Sequence, residues 1–596
     1  MGFIGLTIWR GLRVGTGPAT FQKDKTGAKG GKGEIRGQMK RTKLVIVGGV
    51  AAGASAAAKA RRCNEDAQIV MFEMGDDISY ATCGLPYYLS GVISKRDSLL
   101  ITTGEFFENR FNVEVKTRHQ VLAIDRKEQK VTVKNLTTGE LFDESYDRLV
   151  LATGADAIIP PVPGVDLPFV STLKTLQDTD RIYGYLKEKR PETAVVVGGG
   201  LIGIEGVENL AHKGVKVSVV EFMPQVLTFL DVEMAEVVHQ HLKGKGVQLY
   251  LSEGVASIEE RDGRGRVVTT KGQELPADLV ITAVGVRPNT ELAKACGLAI
   301  GPTGGIAVDA FMRTNDPHIF AAGDCVESVN LVTGKPTLVP MGSAANKQGR
   351  AAGANAMGRE IAVKGFTGTA IVKVFDLAVA KTGLSEAQAV SEGYSPLVTY
   401  VVAGDHAGYY PEAKDLQIKS IAHKESGRLL GAQIIGEKGV DKRIDVMATA
   451  VFNGMTLEDL LQLDLAYAPP YSSARDPVIV AGALGQNFSV GDWSPVTPGE
   501  LQQKLQSHGD VVLIDTRTER EIKETGTIPG AIHIPIDDLR GRAKELDPDK
   551  ETILYCAVGL RSYVGNRLLM MKGFKNVKTL TGGINSWIYP KETYGG

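Results

Sequence analysis

The stretch Lys43-Leu-Val-Ile-Val47-Gly48-Gly49-Val50-Ala51-Ala52-Gly53 decides the fold. A short β-branched run ends in a glycine-rich turn, and an alanine-rich helical stretch follows to Arg62. A second apolar run, Gln68 to Phe72, ends in Glu73. Strand, glycine turn, helix, strand and acid in that order make a dinucleotide-binding unit. The helix N-terminus receives a pyrophosphate and the acid receives ribose hydroxyls. The middle glycine of the motif is replaced by Val50. A second copy is complete. Ala194 to Val197 leads into Gly198-Gly199-Gly200-Leu201-Ile202-Gly203, then a helix through Ala211, then Lys216 to Val220 ending in Glu221. The two loops stand 150 positions apart, and each acid follows its first glycine by 23 to 25 residues. One such turn fits many α/β proteins; two with matching acids point to two bound nucleotides.

Other strand ends fit the same frame. Ile319-Phe-Ala-Ala-Gly323-Asp324 closes on an acid suited to the polyol chain of a flavin. Ala152-Thr153-Gly154 and Ala283-Val284-Gly285 are turns suited to crossovers between two nucleotide domains. Composition excludes several alternatives. The 68 Lys and Arg balance 69 Asp and Glu, which argues against nucleic-acid or polybasic membrane binding. No apolar run approaches the ~20 residues that span a bilayer. Five cysteines without a C-x-x-C pair exclude a disulfide scaffold and a cysteine-rich zinc module, and no metal site is expected. Free thiols in that number suit a reducing compartment, the cytoplasm. The 70 glycines exceed the usual ~7% and belong where backbone turns tightly or meets a ligand. Residues 1–38 differ: up to Lys43 there are ten Lys and Arg against two Asp and Glu. That segment reads as a basic, disordered extension, with Met39 a natural beginning.

Cys83 precedes Gly84-Leu85-Pro86, where proline suits the first helical position. A cysteine ahead of a helix start meets the positive end of the dipole, which favours thiolate. No second cysteine lies nearby, since Cys63 is twenty residues back. Cys83 must therefore use an external sulfur, giving a mixed disulfide, or an oxygen, giving a sulfenate. At the other end of the chain, Val511 to Ile514 runs into Asp515-Thr516-Arg517, and Thr552 to Tyr555 leads to Cys556-Ala-Val-Gly559-Leu-Arg561. A strand–loop–helix turn of this kind aims backbone N–H groups at one sulfur, with Arg561 adding positive charge. Four residues between cysteine and arginine make a cradle smaller than the five-residue phosphate loop of phosphatases. It suits a sulfane sulfur.

With these motifs in place, residues 39 to about 485 resemble the flavin-dependent pyridine nucleotide–disulfide oxidoreductases. Both glycine loops, Ala152-Thr153-Gly154, Val286-Arg287-Pro288-Asn289 and Ala322-Gly323-Asp324-Cys325 carry the resemblance. Ser79-Tyr-Ala-Thr-Cys83-Gly-Leu-Pro-Tyr87 is similar to the single-cysteine branch that includes coenzyme A disulfide and persulfide reductases. The last hundred residues resemble the rhodanese sulfurtransferase domain, including Thr581-Gly582-Gly583 and Trp587. The resemblance implies an α/β protein with two interleaved Rossmann-like domains, FAD at 39–155 with 285–365 and NAD(P)H at 156–284. An α+β dimerisation domain at 366–485 and a rhodanese α/β domain at 490–596 follow.

It further implies FAD on Gly48, Ala51, Ala52, Gly53, Glu73, Val121, Ala152, Thr153, Gly154, Gly323 and Asp324. NAD(P)H falls on Gly198, Gly200, Ile202, Gly203, Glu221 and Gly285, with NADH preferred and NADPH left open. Coenzyme A falls on Lys59 and Arg62, with Arg61 beside them, and on Ser79, which stands where two-cysteine relatives place their partner thiol. Tyr409 and Tyr467 match positions that reach the partner subunit's active site in a homodimer, Tyr410 being the alternative to Tyr409. The implied activity is NAD(P)H-dependent reduction of coenzyme A disulfide, coenzyme A persulfide or polysulfide through Cys83, with Cys556 and Arg561 handling sulfane sulfur. The stretch from Gln486 to Pro498 is expected to act as a short tether. Two other readings remain: an NADH oxidase or peroxidase with a Cys83 sulfenate, and a sulfur carrier whose reductase half is vestigial.

Overall fold

Lys43–Val47 has no polar face, and such a strand is stable only with both faces covered. In the computed structural model, which describes residues 41–593 apart from 508, it lies at the centre of a parallel sheet. The sheet runs Ile319–Ala321, Arg148–Leu151, Lys43–Val47, Gln68–Phe72, Glu114–Lys116. The chain thus leaves this sheet after Leu151 and returns at Ile319. Between those points it builds a second parallel sheet, ordered Gln248–Leu251, Lys216–Glu221, Thr193–Val197, Leu279–Thr282, Val170–Thr172. The outgoing and returning crossings pair antiparallel as Ala155–Ala157 and Val286–Pro288. Thr153 Oγ1 donates to the Asn289 carbonyl at 2.6 Å, and Asn289 Nδ2 donates to the Thr153 carbonyl at 3.1 Å. The folded unit begins at Thr42, and the expected 1–38 extension lies outside the described residues.

The first glycine loop opens the helix Ala51–Cys63, whose alanines are buried against the helix Gly342–Ala356. The two backbones nearly touch. A β-carbon at Gly349 or Gly353 would overlap the carbonyl of Ala52 or Ala56. Small residues on both partners let the helix after the loop sit directly beneath the Ile319–Ala321 strand end. There Gly323 stands with its would-be β-carbon 2.9 Å from the Ala52 side chain. The first loop and the Gly323-Asp324 turn therefore converge.

Residues 370–436 form a five-stranded antiparallel sheet ordered Ala370–Val374, Leu377–Gly383, Leu429–Gly436, Asp415–His423, Pro396–Gly404. The helices Val440–Phe452 and Pro477–Ser489 pack on it. Buried Lys419 of this sheet sits among Asp231 (2.8 Å), Glu386 (2.7 Å) and Glu233, tying it to the second nucleotide domain. These three carboxylates cluster as metal ligands would, but the ammonium already fills their centre. A last parallel sheet runs Pro495–Val496, Val577–Leu580, Glu551–Tyr555, Val511–Asp515, Ile532–His533.

The expected tether before this sheet is instead docked structure. The helix continues to Ser489, Asp492 pairs with Arg567 at 2.7 Å, and buried Trp493 donates to Thr579 Oγ1 at 2.5 Å. The Tyr400 N–H, on the edge strand of the antiparallel sheet, donates to Thr581 Oγ1 at 3.1 Å. Gly and Pro in the stretch mark turns rather than slack. The apolar Trp493 is what holds it down.

Candidate active sites

The two glycine loops follow one design. Gly48 and Gly198 have φ of 98° and 103°, and a β-carbon on either would run into the carbonyl of Ala152 or Ala283. Gly53 and Gly203 bring their helices against the carbonyls of Gly48 and Gly198. Glu73 accepts the N–H of Gly49 (2.7 Å) and of Gly75 (2.7 Å). Glu221 accepts the N–H of Gly199 (2.6 Å) and of Met223 (2.7 Å). Both acids thus pin their loop to the neighbouring strand end, and each oxygen keeps a lone pair for a ribose hydroxyl. Gly200 tests the fit to a nucleotide. Its φ of -76° is open to any residue, and a β-carbon there would meet nothing within 4 Å. Neither backbone nor packing demands glycine, so the bare position leaves room for a group from outside the chain. Ile202 lies half-buried in the first turn of the helix after the loop.

At the first site Gly323 donates its N–H to buried Gln348 (2.9 Å), and Asp324 pairs with Lys174 at 3.3 Å. Gly154 has φ of 68° with open space beside it, and Gly285 (φ 115°) lies against Ile158 across the crossover. Val121 departs from the set. Its side chain is buried in the apolar core of the first domain, which leaves only its main chain for a ligand.

Ser79 hangs from the first loop, its N–H donating to the Gly49 carbonyl at 3.1 Å, and it adopts φ of 47°. Four residues on, Cys83 is exposed in the 3₁₀ turn Thr82–Gly84, which runs into the short helix Leu85–Ser90. All five cysteines are free, and Cys325 and Cys296 are thiols pushed up by burial. One turn beyond Cys83, Tyr87 donates its hydroxyl to Glu205 Oε1 at 3.1 Å. Burial, with some repulsion from Glu208, pushes the Glu205 carboxyl up to about 7. Burial and the charges of Glu205 and Cys83 push the Tyr87 phenol well above its usual range. This pair escaped the sequence reading. Its only signal is an acid two residues past Gly203 and a phenol four past Cys83.

Of the three cations on the first helix, Lys59 is half-buried and Arg62 exposed. Arg61 is withdrawn from any ligand: its buried guanidinium donates to the carbonyls of Phe111 (2.8 Å), Asn112 (2.6 Å) and Glu65. Tyr409 and Tyr467 come together, hydroxyl to hydroxyl at 3.4 Å, on an exposed surface. Tyr410 turns aside, its ring edge-on to His406. The loops bearing the tyrosine pair are clamped by buried Arg443, which donates to Asp476 (2.9 Å) and to the Asp405 carbonyl (2.7 Å). His406 in turn pairs with Asp405 at 2.9 Å.

In the last sheet, buried Cys556 ends the strand Glu551–Tyr555, and its Sγ accepts the Gly559 N–H at 3.1 Å. The Ser562 hydroxyl donates to the Gly559 carbonyl at 2.8 Å and lies 3.8 Å from the same sulfur. From behind, the Ile584 N–H donates to the Cys556 carbonyl at 2.8 Å, and Gly583 packs so close that a β-carbon would overlap the loop's carbonyls. Arg561 brings its charge to the Cys556 sulfur and is shared with an acid. Its two terminal nitrogens donate to Glu521, at 2.7 Å and 2.6 Å. Glu521, held down to about 2 by that guanidinium, also accepts from Thr518 N (3.0 Å) and Thr518 Oγ1 (2.8 Å).

Comparison with known proteins extends this geometry. Residues 42–349 match the family described as pyridine nucleotide-disulphide oxidoreductase, 369–478 its dimerisation domain, and 497–589 the rhodanese-like domain. An NADH oxidase of Methanocaldococcus jannaschii is 37% identical over 74% of this chain and 97% of its own. A coenzyme A disulfide reductase of Staphylococcus haemolyticus is 34% identical over 74% and 98%. The crystal structure of reduced Bacillus anthracis CoADR-RHD shares 43% identity at a TM-score of 0.89, over 92% of this chain and 98% of that one. A NAD-dependent persulfide reductase from A. fulgidus shares 40% at 0.85, over 92% and 100%. No helix among the described residues is long and apolar enough to cross a membrane. Two glycine loops of one design, a turn bearing a lone exposed thiol, and these matches make the chain a member of the pyridine nucleotide-disulphide oxidoreductases that carries a C-terminal rhodanese-like domain.

Proposed function

We propose that this protein is a cytoplasmic homodimer that uses NADH to reduce coenzyme A persulfide, and related disulfides or polysulfide, through Cys83. The observation that carries the reading is the exposed, unpaired thiol of Cys83, four residues beyond Ser79, which is bonded to the first glycine loop. FAD, when bound, would carry reducing equivalents from the nicotinamide to sulfur. Gly48, Gly53, Gly323 and Asp324 would hold it, while the loop from Gly198 to Gly203 binds the NADH pyrophosphate and Glu221 its ribose.

The Cys83 thiolate attacks the coenzyme A sulfur of the persulfide. The S–S bond of the substrate breaks, hydrosulfide leaves with the electron pair, and a mixed disulfide joins Cys83 to coenzyme A. Two electrons from NADH then release coenzyme A thiol and restore the thiolate. Tyr409 and Tyr467 of the other subunit supply hydrogen bonds to the leaving thiolate. Lys59, Arg62 and Ser79 orient coenzyme A. Cys556 accepts sulfane sulfur at the rhodanese-like domain and feeds the same pool. Five free thiols favour the cytoplasm.

The identity of one relative as an NADH oxidase keeps a second chemistry in view, a Cys83 sulfenate formed from peroxide. Denaturing mass spectrometry of the protein purified without reductant separates the two. A coenzyme A increment on Cys83 supports the persulfide reading; an oxygen increment with NADH consumption independent of sulfur overturns it.

A further inference from the structure

The rhodanese-like site holds an anion cradle with a feature that its loop motif does not announce. The Gly559 N–H donates to the Cys556 sulfur, the Ser562 hydroxyl lies 3.8 Å from it while donating to the Gly559 carbonyl, and the helix Leu560–Met571 starts at the loop. Arg561 also reaches that sulfur with a charged hydrogen bond. The one formal charge of the loop, Arg561, is engaged bidentately by Glu521. Glu521 cannot drift away, because it is also the third residue of the helix Glu519–Thr525 and closes a capping box with Thr518. The neighbouring cation, buried Arg517, is likewise cancelled by Asp515 at 2.6 Å. The positive charge that Arg561 brings to the sulfur is thus balanced by Glu521.

Sulfane donors differ in charge. Thiosulfate brings two negative charges to the loop on its reacting group, whereas the reacting S–S group of an organic persulfide brings one at most. We propose that Glu521 is a specificity-determining positioning residue: by holding and neutralising Arg561 it makes the Cys556 site select organic persulfides, whose reacting group carries a single charge, over thiosulfate. This rests on the reading of Cys556 as a sulfane-sulfur acceptor.

The step balances for either donor. With a persulfide, the Cys556 thiolate attacks the outer sulfur of R–S–S⁻. The donor S–S bond breaks, a Cys556–S–S⁻ bond forms, and the leaving thiolate takes the electron pair and one proton from water. With thiosulfate the same attack releases sulfite. Neither route needs an external oxidant or reductant, since a sulfane sulfur atom passes from donor to cysteine. What differs is the charge that must approach the loop, and there Glu521 opposes the dianion more than the monoanion.

The test uses the full chain with Glu521→Gln, which keeps the capping-box acceptor and removes the charge. Sulfur transfer to cyanide is measured with thiosulfate and with glutathione persulfide as donors. The wild type should prefer glutathione persulfide. In E521Q the kcat/KM for thiosulfate should rise on the order of tenfold, with glutathione persulfide changing far less, because an unmasked guanidinium attracts the dianion more strongly. The gain should shrink at high salt. Glu521→Asp, which keeps the charge, should stay close to wild type in donor ratio. An unchanged ratio in E521Q, or a parallel fall with both donors, overturns the assignment of Glu521. Mass spectrometry of Cys556 after exposure to each donor separates the two layers. If neither donor adds a sulfur atom to wild-type Cys556, the sulfur-acceptor reading itself fails; if sulfur is added but the ratio does not move, only the role of Glu521 fails.

Discussion

Tyr87 donates its hydroxyl to Glu205 across 3.1 Å, joining the helix that follows the Cys83 turn to the helix that follows the second glycine loop. The turn bearing the thiol and the second glycine loop are thereby linked by a hydrogen bond with a titratable acceptor, beside the apolar packing of the two helices. The folded-state value of about 7 lies above the ordinary 4.5, so the native protein holds this proton more tightly than the unfolded chain. The contribution to stability is complete below about pH 4.5 and is lost as pH rises through about 7. Glu205→Gln keeps an acceptor and cannot ionise. Its Tm should therefore gain on the wild type as pH rises from about 5 to about 8. Melting curves that keep a constant separation across that window would show that Glu205 is ionised throughout.

Cys83→Ser should abolish reduction of coenzyme A persulfide while the flavin remains bound, since no other described thiol is exposed. Tyr409→Phe with Tyr467→Phe should slow the same reaction by roughly 10²- to 10⁴-fold if the phenols act as acids. NADH oxidation assays decide both, and an unchanged rate in the double variant would reduce the tyrosine pair to interface packing.

NADH should be used in preference to NADPH by on the order of tenfold or more, because a 2′-phosphate would face the Glu221 carboxylate. The next residues, Phe222, Met223 and Pro224, offer no compensating cation. Steady-state kcat/KM with each nucleotide checks this, and equal values would contradict it.

Cys556→Ser should eliminate sulfur transfer from thiosulfate or persulfides but leave reduction of free coenzyme A persulfide largely intact. Arg561→Ala should act in the same direction and more weakly, since the Gly559 N–H remains. Assays of both activities on each variant decide it. Loss of the reductase activity in the cysteine variant would mean an obligatory relay between the two sites.

Gly353→Ala should cost about 1–3 kcal/mol of stability through overpacking. The added methyl overlaps the Ala56 carbonyl on the helix that opens at the first nucleotide loop. Loosened flavin binding should accompany the lower Tm, measured by fluorescence of released flavin during melting.

Sequence reasoning reached the glycine loops, Cys83 and the Cys556 loop because each is a local backbone device whose spacing is written along the chain. What it missed is what folding brings together from afar. Tyr87 and Glu205 are 118 residues apart, Arg561 and Glu521 are 40, and Arg443 and Asp476 are 33. Arg61 shows a different limit. It looks like its neighbours Lys59 and Arg62, but one residue turns a helix by about 100°, and that step carries Arg61 into the interior. The supposed tether was read from glycine and proline, while the docking residue, Trp493, finds its partner Thr579 only in the folded sheet.

The bond from Tyr400 to Thr581 gives the rhodanese-like domain a second duty. Pro396–Gly404 is the outermost strand of its sheet, and an open strand of that length, with three valines, is a template for pairing with other chains. Thr581 and Gly582 lie against that border at Tyr400. The rhodanese-like domain therefore also covers part of an edge that would otherwise stand open at Tyr400.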